Sequence, residues 1–186
     1  KAVVAVPRVY IAYRTPAYGE QAYYVADVLS ELLAGGKSAR LYRSLVREKR
    51  VARAVAAFVL PVVTGASALI LRANVPPGHD AEPVEQALLE ELERLGREGP
   101  EAAELERALT GVEARRVLEL QKVGERADQL SMLTLYFDDP GLINTELDHY
   151  RAVTADDVKR FIREHLHADN RVVLTYLPLA ARQEAA

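Results

Sequence analysis

The chain contains no cysteine. That one absence removes disulfides, thiolate nucleophiles and every zinc site built on sulfur. It leaves the compartment open, because secreted proteins also do without cysteine. No apolar run approaches the roughly 20 residues that a membrane-spanning helix needs, and no basic-then-apolar leader opens the sequence. Positive charge is not in excess either. There are 24 Lys and Arg against 27 Asp and Glu, a formal net charge of −3 with a pI near 5.9. No global field therefore gathers nucleic acid or an anionic membrane.

What is present is ordinary globular material: 186 residues, 49% hydrophobic and 27% charged, enough for one good-sized core and short for two. Basic residues at 37–53 are followed by acidic helices at 82–106, so charge is mixed locally. Low-complexity linkers and internal repeats are absent, and residues 1–186 read as a single domain. Its opening Lys1-Ala2-Val3-Val4 carries no Met and runs into a strand pattern. We expect a C-terminal fragment of a longer two-domain subunit, with a frayed tail at 180–186.

Periodicity supplies the elements. Residues 7–14 alternate as a strand, with Val9, Ile11 and Tyr13 on one face. Apolar positions from Tyr24 to Leu33 repeat at helical spacing over 21–34, and Gly35-Gly36 stops that helix. Ser38 is placed to cap a second helix running to about Lys49, with Leu41, Leu45 and Val46 inward. Residues 54–63 and 66–75 flank Thr64-Gly65 as a hairpin. An amphipathic helix over 82–96 precedes a long helical tract, 101–136, weakened at Gly111 and Gly124. A short helix at 142–150, a helix at 155–166 opened by a Thr154/Asp157 capping box, and a strand at 171–177 complete the chain. The order β-α-α-β-β-α-α-α-α-β predicts an α+β fold, a two-layer sandwich of a largely antiparallel sheet with helices on one face.

Chemistry is harder to find. Gly35-Gly36-Lys37-Ser38 ends like a phosphate loop, but a helix precedes it and Glu31 stands where the other glycine belongs. A helix stop and cap explain it better. Arg40, Arg43 and Arg47 fall on one side of the second helix, offset from Leu41 and Leu45. The plain reading is a solvated basic face. Nucleic acid is disfavoured by poor aromatic interleaving; contact with a peptide backbone or carboxylate through an Arg fork stays open. Of the four histidines, only Glu164-His165 resembles the end of H-x-x-E-H, and Phe161 replaces its first ligand. No serine has the G-x-S-x-G setting. The residues alone stop at a soluble α+β domain without catalytic machinery.

Five stretches in order carry a resemblance across most of the chain: VYIAYRTPA, LLAGGKSARLYRSLVREKRVARAV, ASALILRANVPP, EQALLEELERLGREGPEAAELERA and VTADDVKRFIREHLHADNRVVLTYLP. Together they resemble the C-terminal, non-zinc half-domain of the insulinase/pitrilysin zinc metallopeptidases, which include the mitochondrial processing peptidases. The resemblance implies a metalloendopeptidase built from paired half-domains of one fold. The zinc-bearing half carries H-x-x-E-H and a distant Glu, and zinc would belong to the missing N-terminal half of the parent. Nothing in this chain is then catalytic or metal-binding, and it has no cofactor of its own. The non-zinc half often carries an Arg and, seven residues on, a Tyr that reach the substrate carbonyl.

Arg47 matches that Arg and is the one substrate-binding residue the resemblance implies. Position 54 is Ala, not Tyr, and Val51-Ala52-Arg53-Ala54 replaces the usual Gly-Leu-Ala-Tyr. Tyr42 is no substitute, since it points elsewhere along the helix. The implied partners are a sister half-domain, in the same chain or another subunit, and a peptide substrate. An oligomeric parent in the bacterial periplasm or cytoplasm is expected, with no nucleic acid and no membrane span. The alternative is a catalytically inactive homologue with a structural or peptide-binding role. The H-x-x-E-H motif upstream of Lys1 would separate the two.

Overall fold

Alternation builds the sheet. Strand β1 (Arg8–Thr15) turns Val9, Ile11 and Tyr13 to one side, all of them buried, as a half-covered strand must. The computed structural model describes residues 6–178; the tail expected at 180–186 lies outside them. Strands β2 (Ala54–Leu60), β3 (Ser67–Asn74) and β4 (Arg171–Tyr176) join β1 in the order β2-β3-β1-β4, and every pairing is antiparallel. β2 stops short of the predicted residue 63. Pro61 follows its last residue and has no N–H to donate to the ladder.

One face of this sheet is covered. Helices α1 (Gln21–Ala34), α2 (Glu82–Glu98) and α6 (Ala155–His165) pack on it, while α3 (Ala102–Gln121) and α5 (Glu146–Arg151) lie against α1. The fold is α+β, as the element order predicts. α1 is sandwiched, so its burial runs around the helix and takes in Asp27 and Ser30 beside Val28, Leu29 and Leu33. Each fully buried Leu contributes on the order of 1.5–3 kcal/mol relative to exposure. The Thr154/Asp157 capping box forms as expected: Asp157 N donates to Thr154 Oγ1 at 3.2 Å and Thr154 N to Asp157 Oδ2 at 3.0 Å.

Three helical stretches differ from expectation. The helix expected at 142–150 divides into a 3₁₀ turn, Pro140–Asn144, and α5. The tract 101–136 breaks into α3 and α4 (Val123–Phe137) at Lys122, whose backbone is extended. Residues 121–128 are all exposed, so no packing offsets the poor helix propensity of Gly124. Gly111, the other weak point, stays helical; its missing side chain leaves room for Glu31, whose Oε1 would lie 2.9 Å from a Cβ there. The second helix also departs from plan. Ala39 N bonds to Gly36 O in a turn, Ser38 caps nothing among the described residues, and Tyr42–Glu48 winds as a π-helix.

Candidate functional site

The π-helix is held from inside by a residue whose composition suggested the opposite. Arg40 belongs to the row expected to be solvated, yet only 6% of its side chain is exposed. Its guanidinium donates to Glu104 Oε2 from Nε (3.1 Å) and Nη2 (2.5 Å), and to Gly99 O at 3.2 Å. Nη1 lies 3.7 Å from buried Glu91. Burial would push the Glu104 carboxyl up, but Arg40, the Glu101 N–H and Arg43 outweigh it and hold it below the usual carboxylate range. The expected basic face is therefore split. Arg40 is an internal anchor, Arg43 is half-exposed at 3.6 Å from Glu104, and Arg47 is exposed without an ion pair among the described residues.

Between Arg47 and β2 the chain makes a strained return. The N–H groups of Val51 and Ala52 both donate to Leu45 O, at 3.0 and 3.2 Å, and Arg50 sits in the left-handed region at φ 54°. A non-glycine residue there costs roughly 1–2 kcal/mol. Arg53 N then bonds to Asn74 O at 2.9 Å, and Ala54 enters the sheet opposite Asn74.

The register places Ala54 on the sheet face that no helix covers. Ala54, Asn74, Arg8 and Tyr176 form one cross-strand row. Ala56, Arg72, Tyr10 and Leu174 form the next, and Phe58, Ile70, Ala12 and Val172 the third. Phe58, Val172, Leu174 and Tyr176 on these rows are 36, 67, 49 and 42% exposed. A depression of about 490 Å³ lies here, lined by Arg8, Tyr10, Ala12, Ile70, Val172, Leu174 and Tyr176. Tyr10 and Tyr176 meet edge to face at 5.7 Å. Arg8 Nε and Asn74 Oδ1 are shielded from solvent and have no hydrogen-bond partner among the described residues.

Elsewhere the polar groups are structural. Tyr150 donates to Asp27 at 2.9 Å, Arg116 to Glu146 at 2.8 Å and Gln129 to Glu146 at 2.8 Å, while Tyr18 also donates to Glu146. This network ties α1, α3, α4 and α5 together. Burial pushes the Tyr18 and Tyr150 phenols far up, with carboxylates nearby adding to it, and raises Tyr24 to about 12. These phenols stay neutral donors. His149 stacks on Tyr24 at 4.8 Å and His165 sits 4.7 Å from core Phe161. Zinc finds no fit here: among the described residues no three His, Asp or Glu side chains gather as ligands.

Sequence comparison decides the family. The profile of the peptidase M16 inactive domain matches residues 1–112, more than half the chain. The chain belongs to this family. The result bears out the resemblance to the C-terminal half-domains of zinc metallopeptidases. Among solved structures, this M16 inactive domain is similar to the inactive peptidase domain of a candidate zinc protease from Bordetella parapertussis (27% identity, TM-score 0.82), covering 96% of this chain and 95% of that one. A candidate zinc protease from Bordetella pertussis Tohama I is equally similar (27%, TM-score 0.82), with 95 and 98% covered. A Helicobacter pylori protease shares the fold at TM-score 0.83 and 23% identity; 94% of this chain is covered but only 42% of that chain. No curated protein sequence matches. No helix among the described residues is long and apolar enough to cross a membrane.

Arg47 and Ala54 thus flank the strained return, one on the π-helix and one on the open sheet. Sequence reasoning missed Arg8, Arg72 and Asn74. The alternation of β1 and β3 gives their face; only the register gives their neighbours.

Proposed function

We propose that this M16 inactive domain is the non-zinc half of a zinc metalloendopeptidase acting on peptides. It walls the substrate chamber with its open sheet face, docks a sister half-domain and touches substrate through Arg47. The single observation that carries this reading is the open face. A sheet whose other side is packed by helices over its central strands leaves Phe58, Val172 and Leu174 bare, which suits a surface completed by a second body. Zinc and the water it activates would come from the sister half; this chain supplies shape, apolar docking area and cationic hydrogen-bond donors. Arg47, exposed and without an ion pair among the described residues beside the entry to β2, could reach a carbonyl or carboxylate.

The test uses the parent enzyme. Arg47→Ala should lower kcat/KM on an unstructured peptide by about tenfold or more, the loss of one charge-assisted contact. Unchanged turnover would remove Arg47 from the substrate. Purified residues 1–186 should be inactive alone, and chelator-sensitive cleavage by them would refute the half-domain reading. Ala54 favours a second reading, in which the parent is a non-catalytic homologue that holds peptides. Absence of turnover by the intact parent with zinc supplied would decide for it.

A further inference from the structure

We propose that the cleft between the β2–β3 hairpin tip and the α3–α4 elbow docks a basic segment of a partner protein through an apolar anchor. The cleft lies at the far end of β2 from Ala54 and Arg47, away from the surface assigned to substrate. Its volume of about 340 Å³ is at the small end of ligand-pocket sizes.

Both walls are held in place. At the hairpin tip Tyr18 N donates to Val62 O at 2.9 Å, and Val62 N to Ser67 Oγ at 3.0 Å. Those bonds fix Pro61 and Val63 as one side of the cleft. The other side is the elbow where the chain turns at Lys122. There Arg116 of α3 and Gln129 of α4 both donate to Glu146 at 2.8 Å, so one buried carboxylate ties the two arms. Tyr18 and Tyr23, edge to face at 5.0 Å, line the space between together with Met132. A cleft already formed demands little ordering when a segment enters it.

Two features select the occupant. The first is charge. The lining carries three carboxylates, Glu119, Glu125 and Asp128, against the single guanidinium of Arg116. That guanidinium is turned to Glu146 and to Glu119, the latter at 3.2 Å. Glu125 and Asp128 are exposed, and Lys122 and Arg126 of the same elbow lie outside the lining. An acidic margin around an apolar floor is complementary to an apolar residue flanked by Lys or Arg, and it repels an acidic segment. The second feature is apolar surface beside the cleft. Val62 in the hairpin wall and Tyr136, one turn beyond Met132 on α4, are 38 and 51% exposed. An apolar centre with a polar rim is the anatomy of an anchor pocket in a protein interface. A small solute would leave Val62 and Tyr136 bare.

Met132 is the chain's only methionine, so a ¹³C-methyl-methionine label gives a single NMR signal in the cleft. The probe is an end-blocked peptide of lysines and arginines around a pair of leucines. Chains of this extent fold without further sequence in the Bordetella proteins, of which it covers 95 and 98%. The Met132 signal should shift saturably with the basic peptide. Raising salt from about 0.05 to 0.5 M should weaken binding by about tenfold. Charge reversal of the exposed pair, Glu125→Lys with Asp128→Lys, should weaken it by about the same factor. Glutamates in place of the basic residues, or serines in place of the leucines, should weaken it further. No shift at millimolar peptide, equal affinity for either control peptide, or unchanged affinity in the reversed variant would overturn the proposal. So would a Met132 shift that follows protein concentration without peptide, which would make the cleft a self-association surface. If the variant fails to fold, the salt series and the control peptides still decide. Neither zinc, Arg47 nor cleavage enters this measurement, so its failure is separable from failure of the Arg47 test.

Discussion

Replacing Arg40 by Met tests whether the basic helix is anchored or merely solvated. The substitution keeps length and apolar bulk but removes the donors to Glu104, the partner of Glu91 and the bond to Gly99 O. Taking one partner from a buried pair costs about 3–5 kcal/mol, because the other charge is left desolvated. Two contacts soften the loss. Arg94 still grips both oxygens of Glu91, at 2.8 and 2.7 Å, and Arg43 remains 3.6 Å from Glu104. We expect a cost near the lower bound, about 3 kcal/mol, or a fall in Tm of roughly 6–12 °C for a domain of this size.

The pH dependence separates this account from simple loss of packing. In the wild type the folded Glu104 pKa lies below its unfolded value. Its stabilisation is present above the unfolded carboxylate value, about 4.3, and is lost as pH falls through the folded value. In Arg40→Met burial dominates, so the folded value rises above the unfolded one and the sign reverses. The gap between variant and wild type should therefore narrow from pH 7 to pH 4. Urea denaturation at both pH values measures it. A difference below about 1 kcal/mol at pH 7, or one independent of pH, refutes the anchoring role.

Other outcomes follow from the same geometry. Gly35→Ala would place a Cβ 2.5 Å from Glu31 O and 2.1 Å from its Oε1, costing about 1–3 kcal/mol in urea titration. Gly36→Ala meets nothing within 4 Å but sits at φ 101°, so its cost of about 1–2 kcal/mol would be backbone strain alone. Glu31 behaves opposite to Glu104. Burial raises its carboxyl despite Arg115, so its contribution is present below the unfolded value and lost as pH rises through the folded one. Glu31→Gln should accordingly raise the denaturation midpoint at pH 7 and leave it unchanged near pH 3; a lower midpoint at pH 7 would contradict this.

The strands, the main helices and their faces were legible in the sequence because alternation and 3.6-residue spacing record burial directly. Val9, Ile11 and Tyr13, or Val84, Leu88 and Leu95, could face only a core. Arg40 defeated that reading. An arginine on a helix face looks solvated until Glu91 and Glu104, more than fifty residues away in the chain, are brought against it. The π-helix escaped for a related reason. Its widened turn shows in the bond from Lys49 N to Ser44 O, followed by two N–H groups accepted at Leu45 O, a closure that local propensity does not encode. Arg47 was nameable through family resemblance alone. Arg8 and Asn74 were invisible, since their significance lies in a register and in atoms left unpaired.

Several of those illegible features adjoin one another. The π-helix ends at Glu48, Arg50 holds a left-handed backbone, Arg53 bonds Asn74, and Ala54 pairs with Asn74 beside orphaned Arg8. Local rules fail at this corner of the sheet, and also on the helical side, where Asp138 is left-handed and Arg94 Nε and Arg116 Nε lack partners among the described residues. Failures of local consistency concentrate where function has constrained the chain, because strain and unpaired polar groups persist only if something outweighs their cost. Arg50 would relax if it were glycine, and Asn74 would lose its orphan if it were leucine. A domain needing only to fold and dock would tolerate both changes. At this corner the chain carries the strain of Arg50 close to an Asn74 Oδ1 without a partner among the described residues, two costs that neither alternation nor helical spacing records.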